Sequence, residues 1–274
     1  MIAIIQSIVF GIVEGITEWL PISSTGHMIL LNSIWPMQVR SSFYDMYLVV
    51  IQLGAILAVV VTFWHQIWPF STNKEEHYLR KDVWSMWFKV IVACIPAVIV
   101  GLKWDDAIEA HFYNYLCVAI MLIIIGVMFI LAENHNAHTR PIVRSIDRLT
   151  YRAAFVIGMF QLVAAVFPGT SRSGATILGA LLIGVDRKTA AEFTFYLAVP
   201  VMFGASLLKL AKYGFAFQGN ELAVLIVGMV VAFIVSMLII RFLMNYIKKH
   251  DFKVFGWYRI ILGVIVLIYF KALA

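Results

Sequence analysis

The chain has 274 residues, of which 62% are hydrophobic and 13% are charged, and its mean hydropathy is +0.92. Soluble domains average about 45–50% apolar and about 25% charged residues, so this composition excludes an ordinary soluble domain and a disordered chain. The formal net charge of +6 fits a polytopic helical membrane protein with basic loops on one side. No basic cluster accompanies a nucleic-acid-binding motif.

Six apolar stretches are long enough to cross a bilayer as helices of about 20 residues. They are 43–64, 84–103, 114–132, 193–213, 221–244 and 257–273. The predicted fold class is therefore an all-α polytopic membrane protein, with one membrane domain over 1–274.

Two further apolar regions are interrupted by polar residues, which leaves each half too short to span. Region 1–37 is broken at 21–27, and region 153–184 is broken at 168–174. Polar, non-helical backbone at membrane depth is tolerated only where it is buried in protein or lines a wet cavity. We therefore predict two broken re-entrant helical hairpins that meet near the midplane.

An internal repeat relates the two broken regions at a constant offset. Gly11, Glu14, Pro21 and Ser24 map onto Gly158, Gln161, Pro168 and Ser171. Three spans follow each region, and an odd number of spans inverts the second half relative to the first. The sequence thus predicts an inverted-topology repeat, about 1–132 and 153–274, of the kind in which broken helices form a central site.

Loop charges predict the orientation. Most basic residues outside the spans lie in 65–83, 133–152, 185–192 and 245–256. The positive-inside rule places these loops in the cytoplasm. The first hairpin would then open to the outer face and the second to the inner face.

Glu14 and Glu18 lie four residues apart in an apolar helix, so both carboxylates project from one face. A charge near the bilayer centre costs about 2.5–3.5 kcal/mol on insertion scales, so the pair needs a cation, a shared proton or a basic partner. We interpret it as a site for a divalent cation and for protons. The alternative is an ion pair with Arg172 that only holds the two halves together.

The polar run Ser23-Ser24-Thr25-Gly26-His27 offers more than a helix cap. One hydroxyl suffices to cap a helix, whereas this run has three, and its histidine can transfer protons near neutral pH. Ser24 is therefore a candidate nucleophile with His27 as its base or acid. Simple capping of the following helix is the alternative.

The second polar run, Thr170-Ser171-Arg172-Ser173-Gly174-Ala175-Thr176, predicts an anion cradle. Amides at a helix N-terminus bind phosphate, and arginine offers a planar bidentate fork for it. The alternative is a structural arginine that caps carbonyl groups. Since the acids lie on one hairpin and the guanidinium on the other, a composite site between the tips would suit phosphoryl transfer.

At these two loops the chain resembles the undecaprenyl-diphosphate phosphatase family, the integral-membrane type linked to bacitracin resistance. The resemblance is carried by EGITEWLPISSTGH at 14–27 and PGTSRSGAT at 168–176. It extends through IQLGAIL at 51–57 and EFTFYLAVP at 192–200. Chain length, span order and the repeat also agree, so the match covers nearly the whole chain.

The resemblance implies hydrolysis of undecaprenyl diphosphate to undecaprenyl phosphate and inorganic phosphate. This reaction recycles the lipid carrier for cell-wall synthesis and gives bacitracin resistance. The resemblance also implies a divalent cation, Mg²⁺ or Ca²⁺, as cofactor. The expected location is the bacterial plasma membrane, with the active site open to the outer face.

By motif position, the resemblance implies catalytic roles for Glu18, Ser24, His27 and Arg172, and metal binding by Glu14 and Glu18. The expected substrate-binding residues are Ser23, Thr25, Ser171, Ser173, Gly174 and Thr176.

The expected partners are the polyisoprenyl diphosphate, the lipid bilayer and, as one option for assembly, a second copy in a homodimer; nucleic acid is not expected. The alternative function is a lipid-phosphate flippase or secondary transporter, which would use the same inverted repeat for binding without cleavage. Catalytic turnover separates the two functions.

Overall fold

The computed structural model describes residues 1–71, 78–214 and 216–273. These residues form twelve α-helices and two isolated β-bridges. The helices are α1 (Ile2–Thr17), α2 (Ser24–Ile34), α3 (Ser41–Val50), α4 (Gln52–Thr62), α5 (Trp64–Ile67), α6 (Lys81–Phe112), α7 (Tyr115–Asn136), α8 (Tyr151–Val166), α9 (Arg172–Leu182), α10 (Arg187–Tyr213), α11 (Glu221–Tyr246) and α12 (Lys253–Leu273).

Six helical segments of the described chain are long and apolar enough to cross a membrane, which confirms the six predicted spans. They are Ser41–Thr62, Lys81–Trp104, Tyr115–Asn136, Arg187–Tyr213, Glu221–Tyr246 and Lys253–Ala272. The first comprises α3 and α4, which meet at Ile51. The protein is thus a multi-pass, all-helical membrane protein. Residues 72–77, inside the predicted inner loop 65–83, lie outside the described residues.

Two apolar helices are too short to span. α1 and α8 contain 16 residues each, or about 24 Å at 1.5 Å per residue, against about 30 Å of hydrocarbon core. Each ends in a polar turn and is followed by an 11-residue helix, α2 or α9. The chain thus breaks at both sites that the sequence predicts.

Close helix pairs position these short helices. α1 packs on α11, α8 packs on α6, and α7 packs on α12. A β-carbon at Gly15 would overlap the Ala232 carbonyl of α11, and one at Gly158 would overlap the Ala93 backbone of α6. Small residues allow this approach, and such packing replaces the hydrophobic driving force that is missing in lipid.

The turns after α1 and α8 lie in the protein interior. Trp19, fully buried after α1, contacts the ring of Phe195 on α10 edge to face, with centroids 5.3 Å apart. Trp19 and Ile22 belong to the same buried apolar cluster as Ile177 of α9. The two turns therefore share one core.

Ion pairs join helix ends. Nη2 of Arg40, which immediately precedes α3, is 2.5 Å from Oε2 of Glu221 at the start of α11. This hydrogen bond raises the pKa of Arg40. Nη2 of Arg187, at the start of α10, is 2.6 Å from Oε2 of the buried Glu133 near the end of α7. Both pairs lie outside the polar turns.

Candidate active site

The two polar turns share one backbone conformation. Ser23 (φ 73°) and Ser171 (φ 68°) are the non-glycine residues with positive φ in the described ranges, and each is the N-cap of the helix that follows. Each side chain accepts a hydrogen bond from the amide three residues later, from Gly26 at 3.4 Å and from Gly174 at 3.2 Å. Residues held in sparsely populated φ regions cluster at functional sites. We therefore treat the two turns as one candidate site.

This geometry corrects the predicted alignment of the turns. Ser23 rather than Ser24 corresponds to Ser171, because the second turn has one more residue between its proline and its N-cap. Ser24 therefore corresponds to Arg172, and each is the first residue of its helix.

The carboxylate of Glu18 joins the two turns. Its Oε2 accepts a hydrogen bond of 2.7 Å from Ser24 Oγ, and its Oε1 accepts one of 2.9 Å from Arg172 Nη2. The side chains of Glu18 and Arg172 are 7% and 13% exposed. Ionic hydrogen bonds gain strength where water is excluded. Three residues selected from the sequence thus converge on one group.

Further contacts fix the guanidinium of Arg172. Its Nη1 donates to the Thr194 carbonyl on α10 at 3.1 Å, and its central carbon lies 5.8 Å from the centre of the Trp19 ring. Its Nε is buried and has no hydrogen-bond partner among the described residues. One donor of the fork is therefore uncommitted.

Three predicted substrate contacts are engaged inside the protein. Ser173 Oγ donates to the backbone carbonyl of Glu18 at 2.9 Å and lies 3.2 Å from Ser171 Oγ. Thr176 Oγ1 donates to the Arg172 carbonyl at 2.9 Å. These hydroxyls hold the turns in place. Thr25, another predicted contact, is half-buried in the first turn of α2.

His27 contacts residues other than Ser24. Its Nδ1 lies 2.7 Å from the Ser23 carbonyl oxygen, and its Nε2 lies 2.6 Å from Tyr258 Oη on α12. The predicted serine–histidine pair is therefore not formed. Ser24 donates a hydrogen bond to Glu18 instead, and the imidazole of His27 lies against α12.

Sequence reasoning missed Arg259, which lies fully buried on α12. Its guanidinium donates to the carbonyls of Pro21 at 3.1 Å, Gly169 at 2.9 Å and Thr170 at 2.7 Å. It therefore ties the first turn to the second. The signal that could have found it is a charged residue inside the predicted apolar span 257–273.

Glu14 provides a test of the expected divalent cation. It is buried one helical turn before Glu18, and its Oε1 has no hydrogen-bond partner among the described residues. Within the described ranges, no three or more His, Cys, Asp and Glu side chains are grouped so that they could hold a metal ion by themselves. Magnesium is often held by one or two carboxylates plus substrate phosphates, so Glu14 and Glu18 fit such an ion if phosphate oxygens complete it.

Gln161, which the predicted repeat aligns with Glu14, also lacks hydrogen-bond partners among the described residues. It is 2% exposed, and both polar atoms of its amide lack partners within the described ranges. A neutral amide cannot supply the charge that a divalent cation needs. The residues that fit a cation therefore lie on the α1 side.

Comparison with known sequences decides the family. A sequence model of the family described as "Bacitracin resistance protein BacA" matches residues 7–265. The chain belongs to the BacA family. The chain is 60% identical over 272 residues to the "Undecaprenyl-diphosphatase" of Desulfitobacterium hafniense, and the alignment covers 99% of this chain and 98% of the relative.

Other relatives of this BacA chain carry similar names. It is 62% identical over 269 residues to "Undecaprenyl-diphosphatase 1" of Clostridium acetobutylicum, covering 98% of each chain. It is 56% identical over 272 residues to the "Undecaprenyl-diphosphatase" of Acetivibrio thermocellus, covering 99% of each chain. The similarity extends over the whole protein, including both polar turns.

Proposed function

We propose that this chain hydrolyses undecaprenyl diphosphate to undecaprenyl phosphate and inorganic phosphate. The names of its relatives support this reaction. The single structural observation that carries it is the Glu18 carboxylate, which Ser24 and Arg172 bond from two separate turns. In this proposal the nucleophile Ser24, the base Glu18 and the phosphate-binding guanidinium of Arg172 lie within hydrogen-bond contact of one another.

Ser24 serves as the nucleophile in this proposal and Glu18 as its base. Oγ attacks the terminal phosphorus while its proton passes to Glu18 Oε2, which already accepts that hydrogen bond at 2.7 Å. The bond from this phosphorus to the bridging oxygen breaks, and the prenyl monophosphate leaves. Water then attacks the phosphoserine, and the bond from phosphorus to Oγ breaks. Ser24 Oγ regains its proton from Glu18, which takes one proton from the water, and inorganic phosphate leaves.

Arg172 holds the diphosphate. Its buried Nε has no partner among the described residues, and its Nη2 is held by a carboxylate that phosphate oxygens can replace. Thr25, beside Ser24 in the first turn of α2, contacts the same phosphates in this proposal. Ser171 and Ser173, engaged within the turns, support binding by holding the cradle in shape.

The remaining predicted contacts act through the cradle as well. Ser23 and Gly174 set the conformation of the two turns, and Thr176 bonds to the Arg172 carbonyl within α9. Thr194 on α10 extends this support, because its hydroxyl donates to Thr176 Oγ1 at 2.9 Å.

We assign a divalent cation, Mg²⁺ or Ca²⁺, to Glu14 and Glu18. The uncommitted buried oxygen of Glu14 supports this assignment. When bound, the cation neutralises charge on the diphosphate oxygens. His27 holds or releases a proton at Nε2 beside the site.

The finer architecture is also proposed: an inverted repeat, about 1–132 and 153–274, with α1–α2 and α8–α9 as re-entrant hairpins. Corresponding helix pairs support it, since α1 packs on α11 as α8 packs on α6. The equivalent conformations of Ser23 and Ser171 support it further.

The proposed location is the bacterial plasma membrane, with the site open to the outer face. The basic inner loops support this orientation. An isoprenoid tail gains about 0.8 kcal/mol per CH₂ in lipid, so the substrate enters laterally while its headgroup reaches the turns.

The test measures phosphate release from undecaprenyl diphosphate by detergent-purified protein, with and without divalent cation. We expect cation-dependent release that falls at least a hundred-fold in Arg172→Ala, since removing one such donor costs about 10²–10³ in kcat. Arg40→Ala, which removes an arginine paired with Glu221 away from the turns, is the control. No release by folded wild-type protein would contradict the function, and full release in excess chelator would contradict the cation.

A further inference from the structure

Tyr258 contacts the imidazole of His27 and lies outside both polar turns. Tyr258 Oη is 2.6 Å from His27 Nε2, and the two rings are nearly parallel, with 7° between their planes and 5.6 Å between their centroids. Tyr258 precedes Arg259, whose guanidinium binds carbonyls of both turns. This part of α12 is therefore fixed relative to the site.

The other contact of the imidazole determines which nitrogen carries a proton. His27 Nδ1 lies 2.7 Å from the Ser23 carbonyl oxygen. A carbonyl oxygen can only accept a hydrogen bond, so Nδ1 is the donor. The neutral ring is then the Nδ1–H tautomer, and Nε2 is the atom at which His27 gains or loses its proton.

A tyrosine hydroxyl suits Nε2 in both protonation states. Toward neutral His27 the Tyr258 hydroxyl donates to Nε2, and toward the imidazolium it rotates and accepts from Nε2–H. The hydroxyl keeps its own proton throughout. A histidine whose second nitrogen is held in this way keeps its tautomer and its ring orientation.

We propose that Tyr258 is a positioning residue for this reaction: its hydroxyl holds the His27 imidazole in the Nδ1–H tautomer and in one ring orientation beside the polar turns. The inference rests on the proposed phosphatase function and deepens it. Tyr258 acts through His27 and does not contact the substrate.

The first experiment compares phosphate release by Tyr258→Phe, which keeps the ring and removes only the hydroxyl. We expect kcat to fall about ten-fold with KM within two-fold, a fraction of the 10²–10⁴ that a general acid or base contributes. Tyr269→Phe is the matched control, because it removes a hydroxyl that also joins α12 to α2, through Ser33 at 3.5 Å. Its kcat should equal that of wild type.

The second arm is a double-mutant cycle with His27→Ala. If Tyr258 acts through His27, adding Tyr258→Phe to His27→Ala changes kcat less than two-fold, since coupled residues are not additive. The same ten-fold loss in both backgrounds would overturn the proposal and indicate general damage. Wild-type kcat in Tyr258→Phe would overturn it as well.

A spectroscopic readout separates this inference from the proposed function. In ¹⁵N-histidine-labelled protein, the resonances lost in His27→Ala identify His27 among the seven histidines. We expect an Nδ1–H pattern in wild type and altered His27 nitrogen shifts in Tyr258→Phe but not in Tyr269→Phe. Unchanged His27 shifts would refute the positioning role. This result holds even if wild type released no phosphate, an outcome that would contradict only the function.

Discussion

Glu18 is the residue on which the two halves of the molecule converge. One oxygen accepts from Ser24 of α2 and the other from Arg172 of α9, and both serine and arginine are the first residues of their helices. Each half contributes one short helix whose start points at the same carboxylate. A single carboxylate therefore links the proposed nucleophile to the proposed phosphate-binding group.

Glu18→Gln tests the role of this carboxylate as a base. The amide keeps nearly the same shape but cannot take the Ser24 proton, so kcat should fall about a hundred-fold or more. Phosphate release by purified variant protein measures it. Glu221→Gln is the control, because it alters a carboxylate that pairs with Arg40 away from the turns. Near-normal turnover of Glu18→Gln would remove Glu18 from the mechanism.

Arg172→Lys distinguishes a bidentate contact from simple charge. Arg172 spreads its donors over Glu18 and the Thr194 carbonyl, and a lysine ammonium cannot span both groups. We expect Arg172→Lys to lose phosphate release about as severely as Arg172→Ala. Recovery of most of the activity by lysine would show that positive charge alone suffices.

At the scale of elements, glycines decide how closely the short helices approach their neighbours. α8 carries Gly158 against the Ala93 backbone of α6, in the same way that α1 carries Gly15 against Ala232 of α11. The starts of α2 and α9 depend on these contacts, because the turns that precede them continue directly from α1 and α8.

Gly158→Ala should therefore separate α8 from α6 and destabilise the protein by about 1–3 kcal/mol, the usual cost of overpacking. Thermal unfolding of the purified variant in detergent measures the change as a lower Tm. Gly204→Ala provides the control: a β-carbon added to that helical glycine would meet no atom within 4 Å, and alanine favours helix. Equal Tm values for the two variants would contradict the close-contact interpretation.

On the scale of the whole molecule, the proposed orientation assigns opposite sides to two exposed positions. Gln38 precedes α3, and Thr139 follows α7. In a background with Cys94 and Cys117 replaced by alanine, a membrane-impermeant maleimide should label Gln38→Cys on intact cells. Thr139→Cys should react only after permeabilisation, and labelling of Thr139→Cys on intact cells would refute the orientation.

The part of the site that could be predicted is the part encoded in short, polar interruptions of apolar sequence. Glu14, Glu18 and Arg172 are costly in a membrane, and Ser24 lies in a polar run that interrupts an apolar region, so each is visible without a structure. Three of them, Glu18, Ser24 and Arg172, meet in one hydrogen-bonded group. Their metal and catalytic roles remain predictions.

Other features depended on distant contacts. Ser24 forms a hydrogen bond with Glu18 rather than the predicted one with His27, because the residues packed beside α2 determine where its side chains point. Likewise, the one-residue shift that aligns Ser23 with Ser171 follows from backbone dihedral angles, which the offset between two proline motifs does not contain.

The sequence alone determined the membrane class, the six spans, the two polar interruptions and the family resemblance, because hydropathy and local motifs depend on residues that are neighbours in the chain. Only the tertiary structure revealed that Arg259 of α12 ties the two turns together and that Tyr258 faces His27. These contacts join residues more than 80 positions apart. Hydrophobic periodicity along the chain cannot predict such contacts, since they depend on how the helices pack.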